Sequence, residues 1–215
     1  MSRKAIEREI RKKFILEAAR QLFDEKGIEN TSMDDIASAA EYTRRTLYAY
    51  FKSRDEISLS ILIEDLSARW TEQKRELATA DTGLQKIIKW GESLYSFTCR
   101  HRSSIRLQLY WDFKGIDRKL ITDDIFASFQ TINNELAEGL RRIFHLGLSD
   151  GSLRPDLNVD LAISHFLYSF RSIVNRAHSS TYSFAYFEPE EYVRTYLDIF
   201  ARGIKNEGVG HSEIK

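Results

Sequence analysis

The side chains with the clearest chemical meaning stand close together: Tyr42, Thr43, Arg44, Arg45, Thr46, Tyr48 and Tyr50. Leu47 and Phe51, four apart, give this stretch an inward face and leave the guanidiniums, the tyrosines and a hydroxyl for the outside. Thr43 is a good helix cap, so Arg44 and Arg45 fall at the positive end of the helix, where a cation costs about 0.3–1 kcal/mol. Stability alone does not choose arginine there. Arginine forks match guanine edges, and tyrosine and threonine hydroxyls suit phosphate, so the cluster fits a helix that enters a major groove. From these residues alone, a solvated face with incidental arginines is the alternative.

Other chemistries lack their residues. The five histidines (His101, His145, His165, His178, His211) make no spaced metal motif, and Cys99-x-His101 offers two ligands without the others a closed site needs. There is no Gly-rich phosphate loop, Gly-x-Ser-x-Gly elbow or His-Glu-x-x-His. Hence no metal, no cofactor and no catalytic residue are expected, and the chain does not read as an enzyme. A single cysteine excludes an internal disulfide framework.

The elements around the arginine cluster are short and closely spaced. Ser32 caps a preceding helix that has Asp34 and Asp35 in its first turn and an apolar stripe of Ile36, Ala37 and Ala40. Ala40-Glu41-Tyr42 is the turn, which outlines a helix-turn-helix. A first helix over 3–26 carries Ile6, Ile10, Phe14, Ile15, Ala18, Ala19, Leu22 and Phe23 at helical spacing, and Gly27 ends it. Ser53-x-x-Glu56 opens a fourth helix as a capping box, with Ile57, Ile61, Leu62, Leu66 and Trp70 running on to about residue 78. After Gly83 a fifth helix ends near His101, and a sixth spans 105–113. A long seventh spans 118–146, and two more cover 159–178 and 190–205. Residues 147–155 form a loop.

The composition agrees: 215 residues, 42% hydrophobic and 30% charged, with two prolines and ten glycines, describe an all-α globular protein of about nine helices. The expected organisation is a three-helix DNA-binding domain over 1–54, joined through helix 4 to a helical bundle over 55–206, with a frayed tail at 207–215. Net charge is zero, but residues 1–54 carry +3 and the remainder −3. Arg3, Lys4, Arg8, Arg11, Lys12 and Lys13 crowd the start, as a basic arm on phosphate or as a solvated helix end. No signal segment or membrane-length apolar run is present, so the expected location is cytoplasmic, without a membrane partner.

Thr31-Ser-Met-Asp-Asp-Ile-Ala37, followed by Thr43-x-x-Thr-Leu-Tyr-x-Tyr-Phe-Lys-Ser-Arg-Asp-Glu-Ile57, resembles the DNA-binding domain of the TetR/AcrR family of bacterial transcriptional regulators. The resemblance spans about residues 10–62. It implies phosphate contacts at Thr31, Ser32, Thr43, Tyr48, Tyr50, Lys52 and Arg54, and base reading at Tyr42, Arg44, Arg45 and Thr46. Two positions depart from the pattern: Glu41 and Arg45 stand where the family usually has glycine. A glycine in the turn supplies a left-handed conformation that costs an ordinary residue about 1 kcal/mol or more. The layout of the C-terminal region is also similar.

Two further expectations concern the body. Aromatic residues with polar tips, interspersed with arginines, suggest a pocket for a largely apolar or aromatic effector among helices 4–8, formed by Trp90, Arg106, Tyr110, Trp111, Phe126, Phe129, His165, Tyr168 and Arg171, with an anionic group near Arg106 or Arg171. Apolar faces on the last two helices suggest a homodimer surface through Phe166, Phe170, Ile173, Tyr192, Tyr196 and Phe200. The resulting expectation is a dimeric, ligand-responsive regulator, a repressor that a small molecule releases from its double-stranded operator. A same-fold regulator controlled by a protein partner is the nearest alternative, and a helical enzyme or carrier is more distant.

Overall fold

A computed structural model describes residues 2–178 and 188–208, so the expected tail lies outside the described residues from 209 onward, as does His211. The described chain forms nine helices: α1 (Arg3–Lys26), α2 (Met33–Ala39), α3 (Arg44–Tyr48), α4 (Arg54–Leu77), α5 (Gly83–Arg100), α6 (Arg102–Lys114), α7 (Asp123–Ser149), α8 (Val159–His178) and α9 (Pro189–Ile204). Among the described residues the only strand-like pairing is one isolated antiparallel bridge between Leu153 and Lys205. The fold is all-α, and none of these helices is long and apolar enough to cross a membrane.

Most boundaries follow local chemistry. The Ser32 and Thr82 hydroxyls cap α2 and α5 within reciprocal capping boxes, and the Gly27 N–H closes α1 on the Phe23 carbonyl. The start of α7 differs from expectation, because residues 118–122 are not helical. Ile121 is buried ahead of the helix, and the Thr122 N–H donates to Glu56 Oε1 (2.9 Å), which leaves Asp123 and Asp124 to open α7 at its positive end. The stripe expected on α1 also splits. Ile15, Leu16, Ala18, Ala19 and Phe23 are buried, whereas Ile6, Ile10 and Phe14 face solvent.

The chain packs as two compact, discontinuous units, residues 1–68 with 103–133 and residues 69–102 with 134–215. The grouping by packing therefore continues past residue 54, adding the first half of α4, α6 and the start of α7 to the helix-turn-helix. In the first unit, Ile36, Leu47, Phe51, Ile57, Ile61 and Trp111 are all buried. A near-buried ion pair between Arg20 Nη1 and Asp65 Oδ1 (2.8 Å) ties α1 to α4.

In the second unit small residues permit close approach. A methyl group on Gly139 would meet the Trp70 ring at 2.3 Å, and one on Gly83 would meet the Gly147 nitrogen at 2.2 Å. Trp70 and Trp90 pack with centroids 5.4 Å apart. Asp150 accepts from the Gly83 N–H (2.7 Å) and Ser152 from the Leu84 N–H (3.1 Å), so two free donors at the start of α5 are satisfied. Partial burial opposes the charge on Asp150, but hydrogen bonds from Ser152 and Gly83 hold its carboxyl below the ordinary range.

Candidate nucleic-acid interface

The turn between α2 and α3 is a Schellman motif. The Tyr42 N–H donates to the Ala37 carbonyl (2.9 Å), the Glu41 N–H to the Ser38 carbonyl (3.1 Å), and Glu41 takes φ 57°. Glutamate thus occupies the left-handed position that glycine would fill without strain, and the hydrogen-bond pattern is complete. Thr43 then caps α3, its Oγ1 accepting from the Thr46 N–H (3.1 Å), and buried Leu47 and Phe51 fix which side of α3 faces inward.

That packing exposes Thr43, Arg44, Arg45 and Tyr48, with Tyr42, Thr46 and Tyr50 partly covered. Arg44 is held: Nη1 donates to Asp34 Oδ2 (3.2 Å), and its guanidinium lies 5.7 Å from the centre of the Tyr48 ring. Asp34, which the sequence suggested only as a helix-end charge, thereby offsets the unfavourable cation at the start of α3. Arg45 and Lys52 are exposed, and neither side chain has a partner among the described residues. The Thr43 and Thr46 hydroxyls are 2.9 Å apart, and Arg8 of α1 lies 5.5 Å from the Tyr50 ring centre, bringing one base of the N-terminal cluster to this face.

Two residues expected at phosphate have partners inside the chain. Thr31 is 1% exposed, and its hydroxyl donates to the Gly27 carbonyl (2.8 Å). Arg54 Nη1 donates to the carbonyls of Glu29 and Thr31 (2.9 Å each), clamping the segment that leads into α2. A threonine and an arginine flanking the motif look the same in sequence whether they face phosphate or backbone carbonyls. Ser32 is exposed, but it serves the cap: its hydroxyl donates to Asp35 Oδ2 (2.7 Å) and accepts from the Asp35 N–H (3.1 Å). Hydrogen bonding to Lys26, then to the Ser32 N–H and hydroxyl, drives the Asp35 carboxyl well below the carboxylate range.

The first turn of α4 anchors the rest of this unit. Buried Asp55 takes both Lys114 contacts (2.8 and 2.9 Å), with the Tyr110 hydroxyl 2.6 Å from Lys114 Nζ. Glu56 accepts from the Lys52 N–H as well as from the Thr122 N–H and hydroxyl. The Ser53 hydroxyl accepts from the Glu56 N–H (3.0 Å) as expected, but the Glu56 carboxylate reaches Lys52 and Thr122, so the box is not reciprocal. These carboxylates were legible only as helix-start residues.

The residues expected to form one effector pocket are divided between the two units. Arg106, Tyr110, Trp111, Phe126 and Phe129 belong to the first unit, and Trp90, His165, Tyr168 and Arg171 to the second. Trp90 and Trp111 are buried, and Phe126 sits under the Arg118 guanidinium (3.7 Å). His165 is exposed and Tyr168 is 71% exposed, beside Arg171 at 5.9 Å. Arg106 and Tyr110 line a cleft of about 670 Å³ in the first unit.

The expected dimer residues also divide. Phe166 and Phe170 are fully buried in their own chain, stacked 5.5 Å apart and packed on Phe200 (5.0 Å) and Tyr196 (5.7 Å), so α8 and α9 consume them internally. Ile173, Tyr196 and Phe200 are half-buried. The apolar residues left outside are Leu161 and Tyr168 on α8 and Tyr192 and Ile199 on α9.

A capped reading helix, exposed arginines at its N-terminus and a close-packed scaffold define a helix-turn-helix DNA-binding regulator. The chain belongs to the TetR family: residues 15–61 match the model of the bacterial regulatory proteins of that family. The chain is 30% identical over 148 residues to the HTH-type transcriptional repressor KstR2 of Mycolicibacterium smegmatis, covering 68% of this chain and 69% of that one. The fold resembles that of the ketosteroid transcriptional regulator KstR2 of Mycobacterium tuberculosis, with TM-score 0.68, 21% identity and coverage of 92% and 96% of the two chains. It also resembles the transcriptional regulator FadR from Bacillus subtilis in complex with stearoyl-CoA, with TM-score 0.73, 17% identity and coverage of 89% and 98%.

Proposed function

We propose that this protein is a homodimeric repressor that grips a two-fold DNA operator and releases it when a small molecule occupies the second unit. The observation that carries the DNA reading is the exposed face of α3. Arg45 and Lys52 have no side-chain partner among the described residues, Arg44 is pre-set by Asp34, and hydroxyls from Thr43, Tyr48 and Tyr50 accompany them. Base reading falls to Tyr42, Arg44, Arg45 and Thr46, and phosphate binding to Ser32, Thr43, Tyr48, Tyr50 and Lys52. The repressor assignment is supported by the relative named as one.

Dimerisation is supported by the apolar residues outside α8 and α9. Leu161 and Tyr168 are seven apart, as are Tyr192 and Ile199, so each pair shares a helix face. Two chains would present two α3 helices to half-sites about one helical turn, roughly 34 Å, apart. Ligand response is supported by a cleft of about 590 Å³ within the second unit, between α5 and α9, whose apolar wall includes Ile88, Val193 and Leu197. α4 passes by chain from Arg54 in the first unit to Leu77 in the second and is the element through which occupancy would change half-site separation.

A mobility-shift assay on the DNA upstream of its own reading frame tests this reading. Saturable binding that survives excess random DNA is expected, and affinity indistinguishable from that for random DNA would refute it.

A further inference from the structure

The first unit contains a cleft of about 670 Å³, and no α3 residue lines it. Its walls come from the end of α1 (Phe23, Asp24), the segment entering α2 (Ile28) and α6 (Arg106, Leu107, Phe113). The volume lies in the range that holds a small organic ligand. Phe23, Ile28 and Leu107 are buried and give it an apolar floor, while Phe113 stands 89% exposed, an unusual position for a side chain of that size.

Most polar groups on these walls are spent within the protein. Asn30 donates to the Lys26 carbonyl, Arg54 to the Glu29 and Thr31 carbonyls, and Lys114 to Asp55. Arg106 differs: it is exposed, and its guanidinium makes no hydrogen bond or ion pair with any described residue, although the Asp24 carboxyl, pushed up by burial, feels its charge. With Lys114 paired to Asp55, the lining leaves the cations of Arg54 and Arg106 beside the carboxylates of Asp24 and Glu29. A planar fork whose donors are not hydrogen-bonded, beside an exposed aromatic ring and an apolar floor, suits a planar acid.

We propose that this cleft binds an aromatic carboxylate, its carboxylate held by Arg106 and its ring lying between Phe113 and the floor of Phe23, Ile28 and Leu107. The site lies within the DNA-reading unit and includes residues 27–30, which lead into α2. It is separate from the α5–α9 cleft of the second unit, and its occupancy can be measured without DNA.

The test is calorimetric titration of the full chain with 2-naphthoate, repeated with the cationic analogue 2-naphthylmethylammonium. Binding of one naphthoate per chain is expected, with the cation at least about tenfold weaker, as loss of a charge-assisted pair requires. Arg106→Gln should weaken naphthoate by about ten- to a hundredfold. Arg106→Glu should reverse the preference toward the cation. Because Arg106 and Phe113 are exposed, neither Arg106 variant nor Phe113→Ala removes a packed side chain, and Phe113→Ala should weaken both probes together. No binding of naphthoate at millimolar concentration overturns the proposal, as does equal binding of the two probes or naphthoate affinity unchanged in Arg106→Gln.

Discussion

Glu41 and the arginines of α3 decide the behaviour of the reading head residue by residue. A left-handed backbone costs a non-glycine residue about 1–2 kcal/mol, and glycine returns about 0.4–1 kcal/mol of that as unfolded-chain freedom. Glu41→Gly should therefore stabilise the protein by roughly 0.5–1 kcal/mol, read as a higher urea midpoint with an unchanged slope. Arg45→Ala should relax preference at one base pair and cost about 1–3 kcal/mol on the cognate site. Lys52→Ala should instead weaken all sequences alike and lower the salt slope by about one. Asp35 supplies a pH test. Its folded pKa lies below the unfolded value near 3.9, so the unfolded chain binds the proton first as pH falls, and its stabilising effect, full above about pH 5, is lost on acidification. Asp35→Asn should be less stable than wild type at pH 7, with the gap closing toward pH 2 in urea melts. A gap that persists unchanged at pH 2 contradicts this.

At the scale of elements, glycine positions separate packing from propensity. Gly83→Ala drives a methyl into the Gly147 backbone and should destabilise by about 1–3 kcal/mol or more, whereas Gly203 in α9 has open space around it, and its change to Ala should add about 0.4–1 kcal/mol. Thermal melts of the two variants in parallel check both. Helices whose ends are written in caps were legible in sequence. Ser32, Thr43 and Gly27 each mark a boundary that the structure keeps, so the helix-turn-helix could be drawn from residues alone. The start of α7 was not legible, because Thr122 and Ile121 are fixed by Glu56 and by burial, not by their neighbours in sequence. The partners of Thr31 and Arg54 were hidden for a related reason: they are backbone carbonyls, which carry no signature in the sequence. The aromatic residues of α8 were ambiguous too. Phe166 and Phe170 have the four-residue spacing of an exposed stripe, and only the position of α9 shows that they are consumed at home.

At the scale of the whole molecule, the proposed dimer rests on Leu161, Tyr168, Tyr192 and Ile199, whose substitution disturbs little inside one chain. Tyr168→Glu with Ile199→Glu should shift sedimentation from dimer to monomer while helix content is kept, and a wild-type protein already monomeric at micromolar concentration contradicts the assembly. DNA affinity should fall with it, since two half-sites held together bind far more tightly than either alone. The most direct test of DNA reading by α3 is selection from a random-sequence DNA library, run at one salt concentration with wild type and with the Arg44→Ala/Arg45→Ala double variant. Wild type is expected to enrich a two-fold symmetric site, and the double variant to bind more weakly and to lose preference at fixed positions in each half. Enrichment of the same site with the same affinity by both proteins would show that α3 does not read the DNA.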